Sequence, residues 1–151
     1  MNVRRRVRRI VAPARCKAVR PDGSCCTRPV MDPGARCTPC LHVLADGPID
    51  YAAVAAHEPG LTAVEIDALL GHASDLVQLA LAHTDERLPR SAIQVLLAHR
   101  SVPVRTTAAG RPDVTLADAT AAYEVWGSGD PVVAALESNP GLQRQHQIAV
   151  A

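Results

Sequence analysis

The distribution of cysteine constrains this chain more than any other feature of its sequence. All five cysteines of the 151 residues lie between residues 16 and 40, and residues 41–151 contain none. Thiols concentrated in one short segment, with a Cys-x-x-Cys at its end, supply the ligands that a tetrahedral metal ion requires. The pattern therefore divides the molecule into a small metal-bound head and a long body without cysteine.

Two turn sequences predict how the thiols come together. Pro21-Asp22-Gly23 and Asp32-Pro33-Gly34 each lie a few residues before a cysteine, and both are expected to reverse the chain. In the cytosol thiols stay reduced, so clustered cysteines indicate a metal site more often than disulfides. Cys25 and His42 are alternative ligands. The predicted ligands are Cys16, Cys26, Cys37 and Cys40.

This segment resembles a small family of bacterial and phage zinc-binding modules. Their pattern is a Cys-(Lys/Gly)-Ala opening, a Gly shortly before the second and third cysteines, and a fourth ligand three residues after the third. The matching residues here are Cys16, Gly23 with Cys26, Gly34 with Cys37, and Cys40. The family usually has His at the last position, so the resemblance implies a four-thiolate zinc site in this chain. Such a site is structural, because it has no open coordination position.

Two alternatives to zinc remain open at this point. A [4Fe–4S] cluster is also held by four thiolates. The other alternative is five thiols that bind no metal.

The net charge of +1 conceals two regions of opposite sign. Residues 1–40 contain ten Lys/Arg and two Asp, whereas residues 41–151 contain six Arg and thirteen Asp/Glu. The basic excess predicts an acidic partner for the head, unless the head rests on its own acidic body. Guanidinium groups bind phosphates, so a dense run of them favours nucleic acid, and a solvated tail is the alternative. The run consists of Arg4, Arg5, Arg6, Arg8 and Arg9.

The body repeats itself at intervals of 26 to 28 residues. Similar segments begin at Tyr51, Val77, Val104 and Val132, and a second kind begins at Leu61, Leu88 and Val114. In this alignment one position is shared by Ile66, Ile93 and Thr120, and another by Leu69, Leu96 and Tyr123. Fixed-period similarity predicts a solenoid, in which each unit buries its apolar face against its neighbours.

The local sequence predicts two short helices in each unit. Apolar residues form 48% of the chain and are mostly Ala, Val and Leu, without Phe, and Ala and Leu favour helix. Thr62 with Glu65, and Thr115 with Asp118, are predicted helix N-caps with an acid three residues later. Pro89 falls at the equivalent place in the middle unit, where a helix start tolerates proline.

These units resemble variant leucine-rich repeats over about residues 48–142. The shared signature is apolar pairs followed by Asn/His-Pro-Gly/Asp-Leu. The family stacks an α-helix with a shorter 3₁₀ or α-helix, so the resemblance implies an all-α fold: a short right-handed solenoid with an N-terminal metal-binding module. The units here are slightly long, which leaves open a pair of true α-helices, as in HEAT-like repeats. Some members carry an N-terminal [4Fe–4S] centre, which keeps that cofactor as an alternative.

The histidines and the motif inventory predict no catalytic residue. His57 is equivalent to His83, and His72 to His99, and each is expected at a helix C-terminus, where imidazole meets the negative end of the dipole. The sequence contains no Gly-x-Ser-x-Gly, phosphate loop or His-Glu-x-x-His.

The sequence therefore predicts three regions: a basic tail at 1–12, a cysteine-rich module at 13–44 and about four helical repeats at 45–151. We expect a cytoplasmic, non-enzymatic adaptor that binds a protein partner on its solenoid surface, with no membrane span and no small-molecule substrate. One alternative is a nucleic-acid-binding protein that uses the arginine-rich tail and zinc module. The other is a redox or sensor protein with a [4Fe–4S] cluster.

Overall fold

The computed structural model describes residues 12–150, so the predicted contact residues Arg4, Arg5, Arg6, Arg8 and Arg9 lie outside it. The described chain is mostly helical, as predicted, with one antiparallel pair of short strands. The strands are β1 (Ala14–Arg15) and β2 (Pro29–Val30). The helices are α1 (Thr38–Asp46), α2 (Ile49–Ala55), α3 (Ala63–Leu70), α4 (Asp75–Ala82), α5 (Arg90–Leu97), α6 (Val102–Ala109), α7 (Leu116–Trp126), α8 (Pro131–Glu137) and α9 (Pro140–Val150).

The chain divides into two compact units, Met1–Cys40 and Leu41–Ala151, called here the N-terminal unit and the C-terminal unit. In the C-terminal unit, α2 contacts α4, α4 contacts α6 and α6 contacts α8. A second succession runs from α3 to α5, α7 and α9. Helices of the two successions share one apolar core, which includes the fully buried residues Leu44, Leu69, Leu81, Leu96 and Val132.

Two predicted capping boxes start α3 and α7. The Thr62 hydroxyl accepts from the Glu65 N–H at 3.3 Å, and the Glu65 carboxylate accepts from the Thr62 N–H at 2.7 Å. Thr115 and Asp118 repeat both bonds at 3.3 and 3.0 Å. Each box satisfies two backbone donors that no helical bond reaches, so these helices begin where the sequence predicts.

The predicted register of α7 is wrong by one residue. The N-caps of α3, α5 and α7 are Thr62, Pro89 and Thr115. The fourth residues after the caps are Ile66, Ile93 and Ala119, and the seventh are Leu69, Leu96 and Ala122. Thr120 and Tyr123 are therefore not the equivalents of the buried Ile and Leu residues, and Tyr123 is 50% exposed. The error arises because the interval between the second and third caps is one residue shorter than the one before it.

Buried polar side chains connect successive helix pairs through backbone carbonyls. Arg111, which follows α6, donates to the carbonyl of Ala82 at the end of α4 and to those of Thr84 and Glu86 after it, at 2.8 to 3.0 Å. Asn139, which follows α8, donates in the same way to the carbonyls of Ala109 and Arg111 at 2.7 and 2.9 Å. These bonds satisfy carbonyls that the helix ends leave free.

A second set of such bonds lies at the ends of α3, α5 and α7. Gln78 donates to the carbonyls of Leu69 and His72 at 3.0 and 2.7 Å. The Trp126 indole donates to the Leu97 carbonyl at 2.9 Å, and the Arg105 guanidinium lies 4.1 Å from the centre of the Trp126 ring. Trp126 therefore has a structural role.

Candidate metal centre

The strand pair and a tight turn position the first two metal-ligand candidates. β1 and β2 pair Ala14 with Val30, and the Cys16 N–H continues the pairing with a 2.9 Å bond to the Arg28 carbonyl. Gly23 closes the turn at φ 83°, a conformation that side chains disfavour. The returning chain then bonds the Cys26 N–H to the Ala18 carbonyl at 2.9 Å.

A second turn delivers the other two cysteines. Gly34 has φ 79°, and the Ala35 N–H donates to the Asp32 carbonyl at 3.1 Å. Cys37 lies immediately before α1, and Cys40 lies in the first turn of that helix. Both predicted turn sequences therefore reverse the chain with glycine in the left-handed region.

These elements bring four thiols into one cluster. The sulfurs of Cys16, Cys26, Cys37 and Cys40 all lie within 4.8 Å of one another, and all four residues are buried. The sulfurs of Cys26 and Cys37 are 3.7 Å apart. Four ligands in this arrangement can hold a metal ion, and they are the four residues that the sequence predicts.

The spacing of the thiols fits a single tetrahedral ion. With zinc–sulfur bonds of about 2.3 Å, the edges of a regular ZnS₄ tetrahedron measure about 3.8 Å. The distance between the sulfurs of Cys26 and Cys37 matches such an edge, and no sulfur pair exceeds it by more than about one ångström. The site thus fits a zinc-sized ion with small adjustments of side-chain rotamers.

The two alternative ligands lie outside the cluster. Cys25 is exposed, although it is the neighbour of Cys26 in sequence. The chain is extended here, with a bridge between Val19 and Cys25, and successive side chains of an extended chain point to opposite sides. His42 is exposed and is not a member of the cluster. The structure thus selects Cys26 over Cys25.

Backbone and side-chain hydrogen-bond donors favour the thiolate form of Cys26. The Arg28 N–H bonds to the Cys26 sulfur and lowers the pKa of Cys26 to about 6. The Arg20 guanidinium also donates to this sulfur, which raises the pKa of Arg20. Burial instead raises the pKa of Cys40, and the neighbouring thiols raise it further. The thiolate of Cys26 is therefore stabilised, whereas a second negative charge on the neighbouring Cys40 is opposed unless a cation lies between the two sulfurs.

Two histidines of the C-terminal unit, His72 and His99, have structural partners. His72 follows the end of α3, and its Nδ1 accepts from the Ser74 N–H at 3.0 Å while Nε2 lies 3.0 Å from the Gly47 carbonyl. His99 follows α5, and its Nδ1 accepts from the Ser101 N–H at 3.1 Å. Burial lowers the pKa of His99. Both rings therefore lie just beyond helix C-termini, as the sequence predicts, and each Nδ1 is held as an acceptor.

Sequence reasoning missed the polar side chains that bond to carbonyls of the preceding helix pair. Arg111 and Asn139 each stand immediately before a proline at the end of a helix, as does Glu58. That shared placement was a signal available in the sequence. It identifies where a polar side chain recurs, although it does not reveal which carbonyls accept from it.

Comparison with known proteins identifies no relative of this chain, so its function is inferred from the structure. No protein-family model matches the chain, and no curated protein or solved structure matches it significantly. Among residues 12–150, no helix has the length and apolar character needed to cross a membrane.

Proposed function

We propose that this protein is a non-enzymatic adaptor in the cytoplasm. A structural zinc ion would organise its N-terminal unit, and helical repeats resembling variant leucine-rich repeats would form a short right-handed solenoid that binds a protein partner. The observation that carries the proposal is the succession of contacts from α2 to α4, α6 and α8, with α3, α5, α7 and α9 beside it. Contact of each helix with the second helix after it is what stacked helix pairs require.

The bonds between helix pairs support the solenoid. Five of them join residues that are 25 positions apart: His72 with Gly47, Asp75 with Arg100, Glu86 with Arg111, Leu88 with Asp113, and Arg105 with Asp130. A separation that recurs in different parts of the unit supports one repeated geometry. Stacking of this kind gives an extended surface, which repeat proteins use for binding other proteins.

The dimensions of the thiol cluster support zinc over a [4Fe–4S] centre. A four-iron cube occupies the space between its thiolates, so its ligand sulfurs stand further apart than those around one ion. Here all four sulfurs lie within 4.8 Å of one another. We expect that a [4Fe–4S] cluster would fit between the thiols only if the turns at Gly23 and Gly34 opened.

The buried charged groups of the C-terminal unit support a structural role without catalysis. Glu65 and Asp118 serve as helix caps, and Arg105 and Arg111 donate to carbonyls and to acidic side chains. These contacts give each of the four groups a structural role, which supports a function without general acid–base chemistry.

The first experiment measures the metal. Elemental analysis of protein expressed in the cytosol is expected to find one zinc per chain in a colourless preparation. A brown preparation with broad visible absorbance and about four irons per chain would instead establish the cluster alternative. A chain without metal but with the N-terminal unit ordered would overturn the zinc site.

The second experiment tests the adaptor role. Proteins crosslinked to the full-length chain in its source cells are identified, expressed separately and titrated against the purified chain by calorimetry. A defined complex that is lost on substitution of exposed helix residues of the C-terminal unit is expected. Absence of any partner with measurable affinity would contradict the proposal.

Nucleic-acid binding is the second candidate, and the N-terminal unit supplies the observation that favours it. Arg15, Arg20 and Arg28 are exposed on this small unit, in addition to the arginine run that precedes residue 12. A mobility-shift titration with DNA and RNA at increasing salt separates the two functions. Phosphate binding weakens steeply with ionic strength, and an absence of binding at low salt would remove this candidate.

A further inference from the structure

A mainly apolar groove lies between α7, α8 and α9 in the C-terminal unit. Its volume is about 610 Å³, within the range of about 300–1,000 Å³ that ligand-binding clefts occupy. Leu116 and Tyr123 form one wall, Val133 and Leu136 lie on α8, and Leu142 lies on α9. Leu116 is 38% exposed and Tyr123 is 50% exposed, so two large side chains of this groove remain in contact with water.

At one position of the groove, α7 carries a small side chain where α3 and α5 carry a large one. At the fourth position after the N-cap, Ile66 and Ile93 are buried in the core, and the third helix has Ala119, which lines the groove. The smaller side chain of Ala119 leaves more open space on this face of α7.

The shape of α7 suits a helical ligand. Leu116, Ala119 and Tyr123 line the groove together with Thr120 and Glu124, and these positions form one stripe along the helix. A stripe of this kind, with a second helix wall opposite, forms the groove into which an amphipathic helix lays its apolar face.

The acidic side chains around the groove favour a positively charged ligand. Glu124 and Glu137 line it from two different helices, both are exposed, and neither forms an ion pair within residues 12–150. The surrounding unit has seven more acidic than basic residues. Like charges oppose a second copy of the same acidic surface, whereas Lys or Arg beside an apolar stripe complements it.

We propose that this groove binds a basic amphipathic helix of a partner protein. The apolar side chains of that helix occupy the space left by Ala119, and its Lys or Arg residues face Glu124 and Glu137. The inference rests on the proposed adaptor function and names the surface and the chemistry of the partner.

The test uses the full-length, metal-loaded chain and a fluorescein-labelled model peptide of about 18 residues, long enough to form a helix. The peptide has Leu at i, i+3, i+4 and i+7 and Lys elsewhere, and its matched control has Glu in place of Lys. Fluorescence anisotropy is expected to show saturable binding of the Lys peptide and none of the Glu peptide. Equal binding of both peptides, or of neither, would overturn the proposal.

Charge reversal locates the binding site. The double variant Glu124→Lys, Glu137→Lys is expected to weaken binding of the Lys peptide by about tenfold or more. The matched control, Asp85→Lys with Glu86→Lys, alters two exposed acids outside the groove and is expected to change affinity less than about twofold. Equal weakening by both variants would show nonspecific attraction to the acidic unit and would overturn the assignment.

A second probe distinguishes the source of the ligand. A peptide with the sequence of residues 1–11 contains five arginines, with Val7 between them and Ile10 after them. Tighter groove binding of this peptide than of the Lys peptide would assign the groove to an N-terminal segment of this chain and overturn the assignment to a partner. A partner that binds the chain with unchanged affinity after charge reversal would overturn the groove proposal and leave the adaptor function standing.

Discussion

Different interactions stabilise the N-terminal unit and the C-terminal unit of this protein. The N-terminal unit has two-residue strands, two glycine turns and a buried cluster that consists almost entirely of cysteine. The C-terminal unit has a continuous apolar core and polar side chains that bond across successive helix pairs. Chains of about 40 residues bury too little apolar surface to fold without a metal, disulfide or partner, whereas about 110 residues suffice. The contrast predicts that a bound metal controls the order of the N-terminal unit and that apolar packing controls the order of the C-terminal unit.

The largest effect is expected from removing a metal ligand. Cys40→Ser should abolish stoichiometric zinc and unfold the N-terminal unit, because structural zinc contributes about 10–16 kcal/mol of apparent binding free energy at pH 7. Elemental analysis and hydrogen exchange of residues 12–40 measure the two consequences. Slow exchange in α4 to α8 should persist, since their core contains no metal ligand.

Cys25→Ser is the matched control for this prediction. Cys25 is exposed and lies outside the cluster, so its substitution should leave zinc content and exchange unchanged. Unchanged zinc in Cys40→Ser, or lost zinc in Cys25→Ser, would contradict the assigned ligand set.

The reverse experiment destabilises the C-terminal unit and is expected to leave the metal bound. Arg111→Met removes bonds to three carbonyls and leaves the Asp113 carboxylate, 2.7 Å away, without its cation in a buried site. Loss of one partner of a buried pair costs about 3–5 kcal/mol. Urea unfolding monitored by the helical signal should show this loss, with zinc content unaffected.

Arg144→Met provides the comparison for Arg111→Met. Arg144 is exposed on α9, so its loss should change the free energy of unfolding by less than about 0.5 kcal/mol. A similar destabilisation in both variants would refute the role assigned to the carbonyl bonds of Arg111.

A smaller effect is expected at the helix starts. Thr62→Ala and Thr115→Ala each remove a capping hydroxyl and should each cost about 1 kcal/mol of unfolding free energy. Thr120→Ala is the control, because this exposed hydroxyl bonds only to the Leu116 carbonyl within its own helix. Urea midpoints that fall equally in all three variants would argue against a specific capping effect.

The smallest effect is expected in the loss of stability of the C-terminal unit at low pH. The Arg105 guanidinium and the Val132 N–H donate to Asp130 and together lower its pKa. A depressed carboxyl pKa stabilises the fold above the unfolded value of about 3.9 and ceases to do so as the pH falls through the folded value. Asp130→Asn should therefore flatten the decline of C-terminal stability below about pH 4.

The two units are also expected to respond to acid at different pH values. Protons compete with metal for the four thiolates, so the N-terminal unit should lose zinc before the carboxylates of the C-terminal unit titrate. Zinc release followed with a chromophoric chelator gives one profile, and urea midpoints give the other. Glu137→Gln, at an exposed carboxylate, should leave the second profile unchanged, and coincident profiles would contradict the separation.

Much of the metal site was predictable because its chemistry is local in sequence. The turns at Gly23 and Gly34, the Cys-x-x-Cys and the count of thiols specify four ligands within 25 residues. The choice between Cys25 and Cys26 was not predictable from spacing alone. It depends on which side of an extended chain faces the cluster, and that follows from the pairing of Cys26 with Ala18.

The C-terminal unit was predictable in its elements and less so in its register. Caps such as Thr62 and Thr115 mark helix starts because they act within four residues. The misassignment of Thr120 and Tyr123 came from assuming a constant interval across a connection that is one residue shorter. The carbonyl bonds of Arg111 and Asn139 reach residues 25 to 30 positions away, and no local pattern encodes such distances.

The bonds made by Asn139 set a limit on where this chain can be shortened. Its amide serves carbonyls of the preceding helix pair, so a truncation before residue 139 would expose acceptors that lie well upstream of the cut. A truncation before residue 111 would likewise leave the carbonyls of Ala82, Thr84 and Glu86 without their donor. Shortening is therefore expected to cost least where a polar residue and the carbonyls that it binds are kept or removed together.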